Sequence, residues 1–332
     1  MKLRLTTFNC ENLFGRYAFL DKPPTDQPKD YIQDIKVTDV VAFEPGRSNT
    51  LKPRPIAEAQ RKNTGLAILD AAPDILAVCE VENLTALRLF NAKYLGNYFD
   101  RILLVEGNDP RGIDVGMLLR RGLKVDVRAI RSHADDAALG GFLTTTNMLD
   151  MKGRVGKASF SRDCLEVDID AGNAALTLLV NHFKAQETTS GGADPTTAKR
   201  RGQAERAAAI AKRARAAGRL PIVMGDLNKD VASPQYDDSI NPVARSSVFV
   251  DPVRALPADQ RWTHYFSSKR SVSQLDYLLP DKGLAGAIAG VQISRGGLSP
   301  KCKQYTGPRL GSIATDGQEA SDHCPLSVDF VL

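Results

Sequence analysis

Six short segments of this chain place carboxylate, amide or imidazole side chains at the edge of an apolar run: TFNCENL, CEVENL, NHFKA, MGDLN, QLDYLL and SDHCPL. They contribute Asn9, Glu80, His182, Asp226, Asn228, Asp276, Asp322 and His323. Oxygen donors such as Asn9, Glu80 and Asp322 suit a hard cation, and magnesium keeps several waters beside few protein ligands. Histidines suit proton transfer near neutral pH. Hydrolysis of a phosphodiester uses both, a cation to neutralise phosphate oxygens and acid–base groups to prepare water. Each residue alone also has an ordinary structural use, an Asn closing a turn or a Glu in a surface pair. The chemistry therefore depends on whether they converge.

Strands bring distant residues together when their ends meet at one sheet edge. Apolar runs predict strands at 3–8, 75–79, 101–105, 115–119, 123–130, 165–169, 176–180, 222–224, 275–279, 291–293 and 326–331, too many for one small sheet. Helices are predicted over 56–71, 84–95 and 195–217, the last opened by Asp194-Pro195 and closed by Gly218. In that third helix Ala204, Ala207, Ala208 and Ala211 form a narrow face for close packing. Its Arg200, Arg206, Lys212 and Arg213 could meet nucleic-acid phosphates, although a solvated helix face is the simpler reading. The stretch 15–55 is far longer than the usual connection of roughly 4 to 6 residues, so it reads as a cover over the site or an insertion. A polar loop at 187–194 follows NHFKA and should border the same site. No repeat or linker divides the chain, which reads as a single domain, 1–332, with an insertion at about 15–55.

The composition is that of an ordinary globular protein, with 332 residues, 42% hydrophobic and 25% charged. No run approaches the roughly 18 apolar residues of a membrane helix. The start, MKLRLTTFNC, reads as a strand rather than a leader, so the chain as given is expected to be cytoplasmic, or else the processed form of an exported protein. A net charge of +5 is compatible with a polyanionic substrate without demanding one. Five cysteines without CxxC spacing suggest neither a disulfide framework nor a cysteine zinc site. Cys10, Cys79 and Cys324, each beside a candidate site residue, read as small apolar side chains turned into the core.

The order of the segments says more than any one of them. TFNCENL, CEVEN, FSRDCLEV, NHFKA, MGDLN, a WTHYF stretch before QLDYLL, and SDHCPL resemble the endonuclease/exonuclease/phosphatase family typified by deoxyribonuclease I. The resemblance runs from Thr6 to Phe330, with 15–55 unmatched. It implies that Asn9 and Glu80 are metal-associated, with Asp322 near the metal. It makes Asp226 and Asn228 the pair that orients water and phosphate, and pairs Asp276 with His323. His182 stands where deoxyribonuclease I-like branches carry a histidine, which argues against abasic-site repair. Arg162 is an implied phosphate contact, with a surface salt bridge the competing account, and Lys184, two residues after His182 and hence on the same strand face, is a further candidate. Asp114 is implied to support His182 or approach the metal. Trp262 and Tyr265 could stack on a base or line a leaving-group pocket, although core packing is the commoner fate of a lone Trp. His133, in a polar loop, reads as solvated, and His264 as lying near the rim.

The resemblance implies a four-layer α/β sandwich, two packed mixed β-sheets flanked by helices, with the site at one end of the strands. It also implies a magnesium-dependent (or manganese-dependent) phosphodiesterase, with DNA the favoured substrate. The bacterial nuclease-like branch is the nearest, and many of its members are exported. One rival is a phosphomonoesterase or a phospholipid or inositol-phosphate phosphodiesterase, because substrate choice resides in loops. Lipid action calls for an apolar hairpin, and only 6% of residues are aromatic. The rival of another class is a catalytically silent binding module, which would be expected to have lost one of Glu80, Asp226, Asp276 or His323. No protein partner is legible.

Overall fold

The computed structural model describes residues 1–13, 17–18, 54–55, 58–109, 112–136, 158–187 and 194–332. The expected insertion at 15–55 lies outside these, except for β2 (Tyr17–Ala18) and β3 (Arg54–Pro55), which pair antiparallel at its two ends. Most of the expected loop at 187–194 also lies outside them.

Two sheets hold the remaining main strands. The first has the order β14-β15-β1-β4-β6-β5, made of β1 (Lys2–Leu13), β4 (Ile75–Val81), β5 (Phe99–Leu104), β6 (Asp114–Arg120), β14 (Ile288–Ile293) and β15 (Leu326–Val331). The second has the order β13-β10-β9-β8-β7, made of β7 (Asp126–Arg131), β8 (Cys164–Ala171), β9 (Ala174–His182), β10 (Leu220–Asp226) and β13 (Asp276–Pro280). Each sheet contains one parallel pair, β1 with β4 and β9 with β10, among antiparallel neighbours. A short hairpin of β11 (His264–Phe266) and β12 (Ser271–Ser273) stands apart.

Strand alternation explains the layering, since successive side chains take opposite faces. Leu3, Leu5, Ile75, Ala77, Val115 and Met117 of the first sheet share one buried cluster with Val167, Leu178, Val180, Ile222, Met224 and Leu278 of the second. The intervening residues face outward and are covered by helices. Helices α1 (Glu58–Ala71) and α2 (Leu84–Tyr94) put Ala67, Ile68, Leu87 and Phe90 over Phe8, Leu76, Val78 and Leu118. Helix α3 (Thr197–Ala216) packs Ala204, Ala207 and Ala211 over Leu179, Val223, Tyr277 and Leu279. The result is a four-layer sandwich. Each fully buried Leu, Val or Phe in these layers contributes about 1.5–3 kcal/mol. All five cysteines are buried and free, with Cys79 and Cys324 in the inter-sheet core and Cys10 beneath the helices.

Two surface readings are corrected by this packing. Arg200 is fully buried, whereas Arg206 pairs with Asp136 and Arg213 with Glu166, so of these four basic residues only Lys212 is exposed with no ion pair among the described residues. His133 is only 5% exposed and lies between two carboxylates, Nδ1 at 2.7 Å from Asp136 and Nε2 at 2.7 Å from Glu166. The polar neighbourhood that suggested solvent supplies its partners instead. Burial alone would depress the imidazole, but the hydrogen bonds to Asp136 and Glu166 outweigh it and raise the pKa from 6.5 to about 8. The folded chain thus holds this proton more tightly than the unfolded chain. Its stabilisation, about 2 kcal/mol, is complete below pH 6.5 and lost as pH rises through about 8. Urea midpoints between roughly pH 6 and 9 are expected to fall in the wild type and to stay level in His133→Gln. Parallel declines in the two proteins would remove His133 as the source.

Candidate active site

Strand register assembles the site in the second sheet. His182 at the end of β9 is opposite Asp226 at the end of β10, and Asp226 is opposite Asp276 at the start of β13. Each lies two residues beyond an inter-sheet core residue, Val180, Met224 and Leu278 respectively, so alternation turns all three toward the gap between the sheets. The close approach of β9 and β10 here requires Gly225, whose φ is +128° and where a Cβ would stand 1.9 Å from the Asn181 carbonyl. The glycine of MGDLN is thereby explained by space.

The first sheet offers Asn9 and Glu80 from the neighbouring ends of β1 and β4. Both strands carry a register break there, after Asn9 and between Cys79 and Val81. Glu80 has φ +61° and Glu11 φ +48°, left-handed conformations costing about 1–3 kcal/mol each. The break at Glu80 matters because strict alternation would send its side chain to the helix-covered face. Asn9 Nδ2 donates to Asp226 Oδ2 at 3.0 Å and to Glu80 Oε1 at 3.3 Å, and its Oδ1 accepts from the Glu11 N–H at 3.0 Å. The amide nitrogen, rather than the carbonyl expected to join a metal shell, thus faces the carboxylates. His182 Nε2 lies 3.6 Å from Asp226 Oδ2 and 3.8 Å from Glu80 Oε1, which ties the two sheets together at the site.

His323, just ahead of β15, completes the group. Its Nδ1 is 2.7 Å from Asp276 Oδ2, and its Nε2 is 3.8 Å from both Asp226 Oδ2 and Asp322 Oδ1. Thr263 Oγ1 donates to the same Asp276 oxygen at 2.7 Å, and Ser321 Oγ joins the Asn9 carbonyl to the His323 N–H. Burial would lower the imidazole pKa, but Asp276 and Asp226 reverse this and hold it well above 6.5. Burial raises Asp226 to about 7, with His323 opposing the rise. The site therefore pairs an imidazole that keeps its proton with a carboxyl group poised near neutrality, which is the equipment of acid–base catalysis. Asn228 (φ +54°) braces Asp226 through its backbone N–H at 2.8 Å, and its Nδ2 donates to the Phe183 carbonyl at 3.0 Å.

The implied substrate contacts are placed differently. Arg162 is 2% exposed, with Nε 2.9 Å from Asp109 and Nη1 donating to the Phe183 carbonyl at 3.2 Å, so it fixes the backbone after His182 instead of presenting a fork to solvent. Lys184 is at the rim, paired with Glu187 at 2.7 Å. Asp114 is buried opposite Val81, accepts from the Gly107 N–H, and is raised by burial to about 7. Trp262 and Tyr265 belong to the inter-sheet core, 6% and 2% exposed, so their rings are unavailable for stacking. Phe266 is the aromatic ring on this hairpin that is open, at 41%, with Lys269 5.3 Å above it. Alternation along β11 could have distinguished Tyr265 from Phe266. Glu11, Thr263 and Lys229 carry no signal of their own in the sequence, whereas His264, expected near the rim, stands with its ring centroid 4.6 Å from that of His323. Lys229 directly follows MGDLN and is 4% exposed, holding Gln186 at 3.0 Å and Asp237 at 3.2 Å.

The donor set fits a hard divalent cation. Asp226 is a buried carboxylate whose pKa is raised by that burial, and Asp276 Oδ1 is buried without a hydrogen-bond partner. A cation beside Glu80 would offset this concentration of negative oxygen.

The family model described as the endonuclease/exonuclease/phosphatase family matches residues 7–323. A comparison with curated proteins finds no match. Among solved structures, the chain is similar to an endonuclease/exonuclease/phosphatase from Bacteroides vulgatus, at 15% identity over 100% of this chain and 99% of that one, with a TM-score of 0.57. It is also similar to the human Nocturnin catalytic domain with bound sulfate anion, at 15% identity over 99% and 94% of the two chains, with a TM-score of 0.56. D. rerio TDP2, complexed with single strand DNA product, gives 13% identity over 100% and 99%, with a TM-score of 0.55. At these identities the structural likeness is one of fold.

Proposed function

The chain belongs to the endonuclease/exonuclease/phosphatase family, whose members are phosphoric ester hydrolases, and from that premise we propose that it is a magnesium-dependent nuclease hydrolysing phosphodiester bonds of DNA. The observation that carries this reading is the His182–Asp226–Asp276 row, closed by His323 and facing Glu80 across the sheet gap. Glu80 is the principal anchor for the ion, with Asn9 at its margin, whereas the Asp322 carboxylate lies against His264 and His323. When bound, magnesium, or manganese in its place, neutralises phosphate oxygens and makes the phosphorus a better electrophile. Asp276 fixes the His323 ring through Nδ1, and His323 holds on Nε2 the proton that the leaving oxygen requires. Asp226, kept in place by Asn9 and Asn228, accepts a proton from water, and His182 supports the charge that develops.

DNA is favoured over lipid by what surrounds the site. The exposed large apolar side chains among the described residues lie on five different elements, Leu69, Leu89, Ile130, Phe266 and Val331, which does not make a membrane-seeking surface. Phe266 with Lys269 and Arg270 instead combines an open ring with cations, the pairing that suits unstacked nucleotides. D. rerio TDP2 holds a DNA product in a related fold.

The test offers supercoiled plasmid, single-stranded DNA, RNA, bis-p-nitrophenyl phosphate and a phosphomonoester to the protein with magnesium, with manganese, and with a chelator. DNA cleavage is expected with either ion, falling to background on chelation and returning on addition of magnesium. Activity on the monoester alone, or cleavage indifferent to chelator, overturns the proposal.

A further inference from the structure

His264 was outside the catalytic reading, yet its ring centroid is 4.6 Å from that of His323. Its Nε2 lies 3.5 Å from Asp322 Oδ2, and His323 Nε2 lies 3.8 Å from Asp322 Oδ1. The three ligand atoms of His264, Asp322 and His323 all fall within 4.8 Å of one another. Tetrahedral zinc, at about 2.0–2.1 Å from each donor, needs donors roughly 3.4 Å apart, and each imidazole nitrogen already lies within about half an ångström of that spacing from one or the other Asp322 oxygen. Each imidazole is also oriented through its other nitrogen, His323 Nδ1 by Asp276 at 2.7 Å and His264 Nδ1 by Ser273 Oγ at 3.4 Å. A ring held at Nδ1 with Nε2 turned toward the carboxylate is the arrangement of metal-binding histidines, the ion taking the place of the Nε2 proton of His323. The Asp322 side chain is 38% exposed against 10% for His264, which gives an ion a way in and leaves a position for water.

We propose that His264, Asp322 and His323 form an inhibitory site for a borderline divalent ion of the zinc class, distinct from the magnesium position at Glu80. Two imidazole nitrogens with one carboxylate favour such an ion over magnesium, which prefers oxygen donors and retained waters. His133, also held between two carboxylates, cannot do the same, because its partners sit on opposite ring nitrogens. An ion at this site occupies His323 Nε2, the atom that carries the proton in the proposed reaction. Zinc would therefore stop hydrolysis without displacing magnesium.

The test is calorimetric titration of zinc chloride into the EDTA-treated, dialysed full chain, with and without excess magnesium. One zinc ion per chain is expected, undisturbed by magnesium, with affinity falling at least tenfold in His264→Gln. In parallel, the zinc concentration giving half inhibition of magnesium-supported cleavage, normalised to each protein's own activity, is expected to rise by the same factor. Absence of binding, or binding and inhibition equal in the two proteins, overturns the proposal and in the latter case moves the ion to Asp226 and Asp276. The inhibition arm rests on the nuclease reading, whereas the binding arm does not. A protein that binds zinc through His264 but cleaves nothing thus refutes only the nuclease.

Discussion

Replacing His323 by Ala is expected to lower kcat by about 10²- to 10⁴-fold, some 3–5 kcal/mol of barrier, with KM changed only a few-fold. The magnitude follows from its position: Nε2 stands 3.8 Å from Asp226 with no other imidazole held by Asp276. The pH profile separates proton transfer from simple damage to the fold. Asp226 works as a base only when deprotonated, so activity should rise as pH climbs through about 7, or lower where a bound cation pulls that value down. His323 works as an acid only when protonated, so activity should fall again above its raised pKa. The alanine variant is expected to keep the acidic limb, moved to higher pH because His323 no longer opposes the rise of Asp226, and to lose the alkaline one. Asp276→Asn should approach the same loss in kcat, because an amide no longer supports the charged ring. A His323→Ala enzyme retaining more than a tenth of wild-type kcat, with both limbs intact, would rule out this histidine as the proton donor.

The largest loss of stability is expected at Arg200. Its guanidinium is 0% exposed and serves five acceptors: Asp194 at 2.5 Å, Asp237 at 2.9 Å, Ser239 Oγ, Thr196 Oγ1 and the Lys184 carbonyl. Burial works to raise Asp194, but bonds from Thr196 and Arg200 hold it down at about 2. Removing the cation leaves a carbonyl without its donor and two partly buried carboxylates without their shared guanidinium, although Thr196 still bonds Asp194 and Lys229 still pairs with Asp237, a loss of about 3 kcal/mol. Arg200→Met is therefore expected to lower Tm by roughly 5 °C. Arg200→Lys should recover only part of this, because one ammonium cannot reach so many acceptors. The Lys184 carbonyl is two residues from His182, so the folded fraction of Arg200→Met should also lose kcat. A Tm within about 3 °C of wild type would show that the network is dispensable.

Much of this was legible in the chain. The strand runs around residues 75, 165, 176, 222, 275 and 326 became strands within a few residues of their expected limits, because alternating apolar residues commit a segment to one buried face. The hairpin of β11 and β12 was less visible, being three residues on each side and stabilised by partners elsewhere, such as the Tyr265 N–H on the Asp322 carbonyl. Charged residues were the hardest to place. Arg162, Arg200 and His133 have the composition of a surface and are buried nonetheless, because their partners lie between 3 and 53 residues away in sequence and meet them only after the loops close.

By itself the sequence determined the segments, their order and the residue types at strand ends, and these identify both the four-layer sandwich and the family. The tertiary structure decided direction and company. It turned Glu80 into the site through a left-handed residue, set the nitrogen of Asn9 toward the carboxylates, withdrew Trp262 and Tyr265 into the core, and brought His264 against His323. Periodicity is local and can be read along the chain. The facing of a side chain at a bulge and the partner of a buried charge are set by packing between elements, which only the closed fold contains.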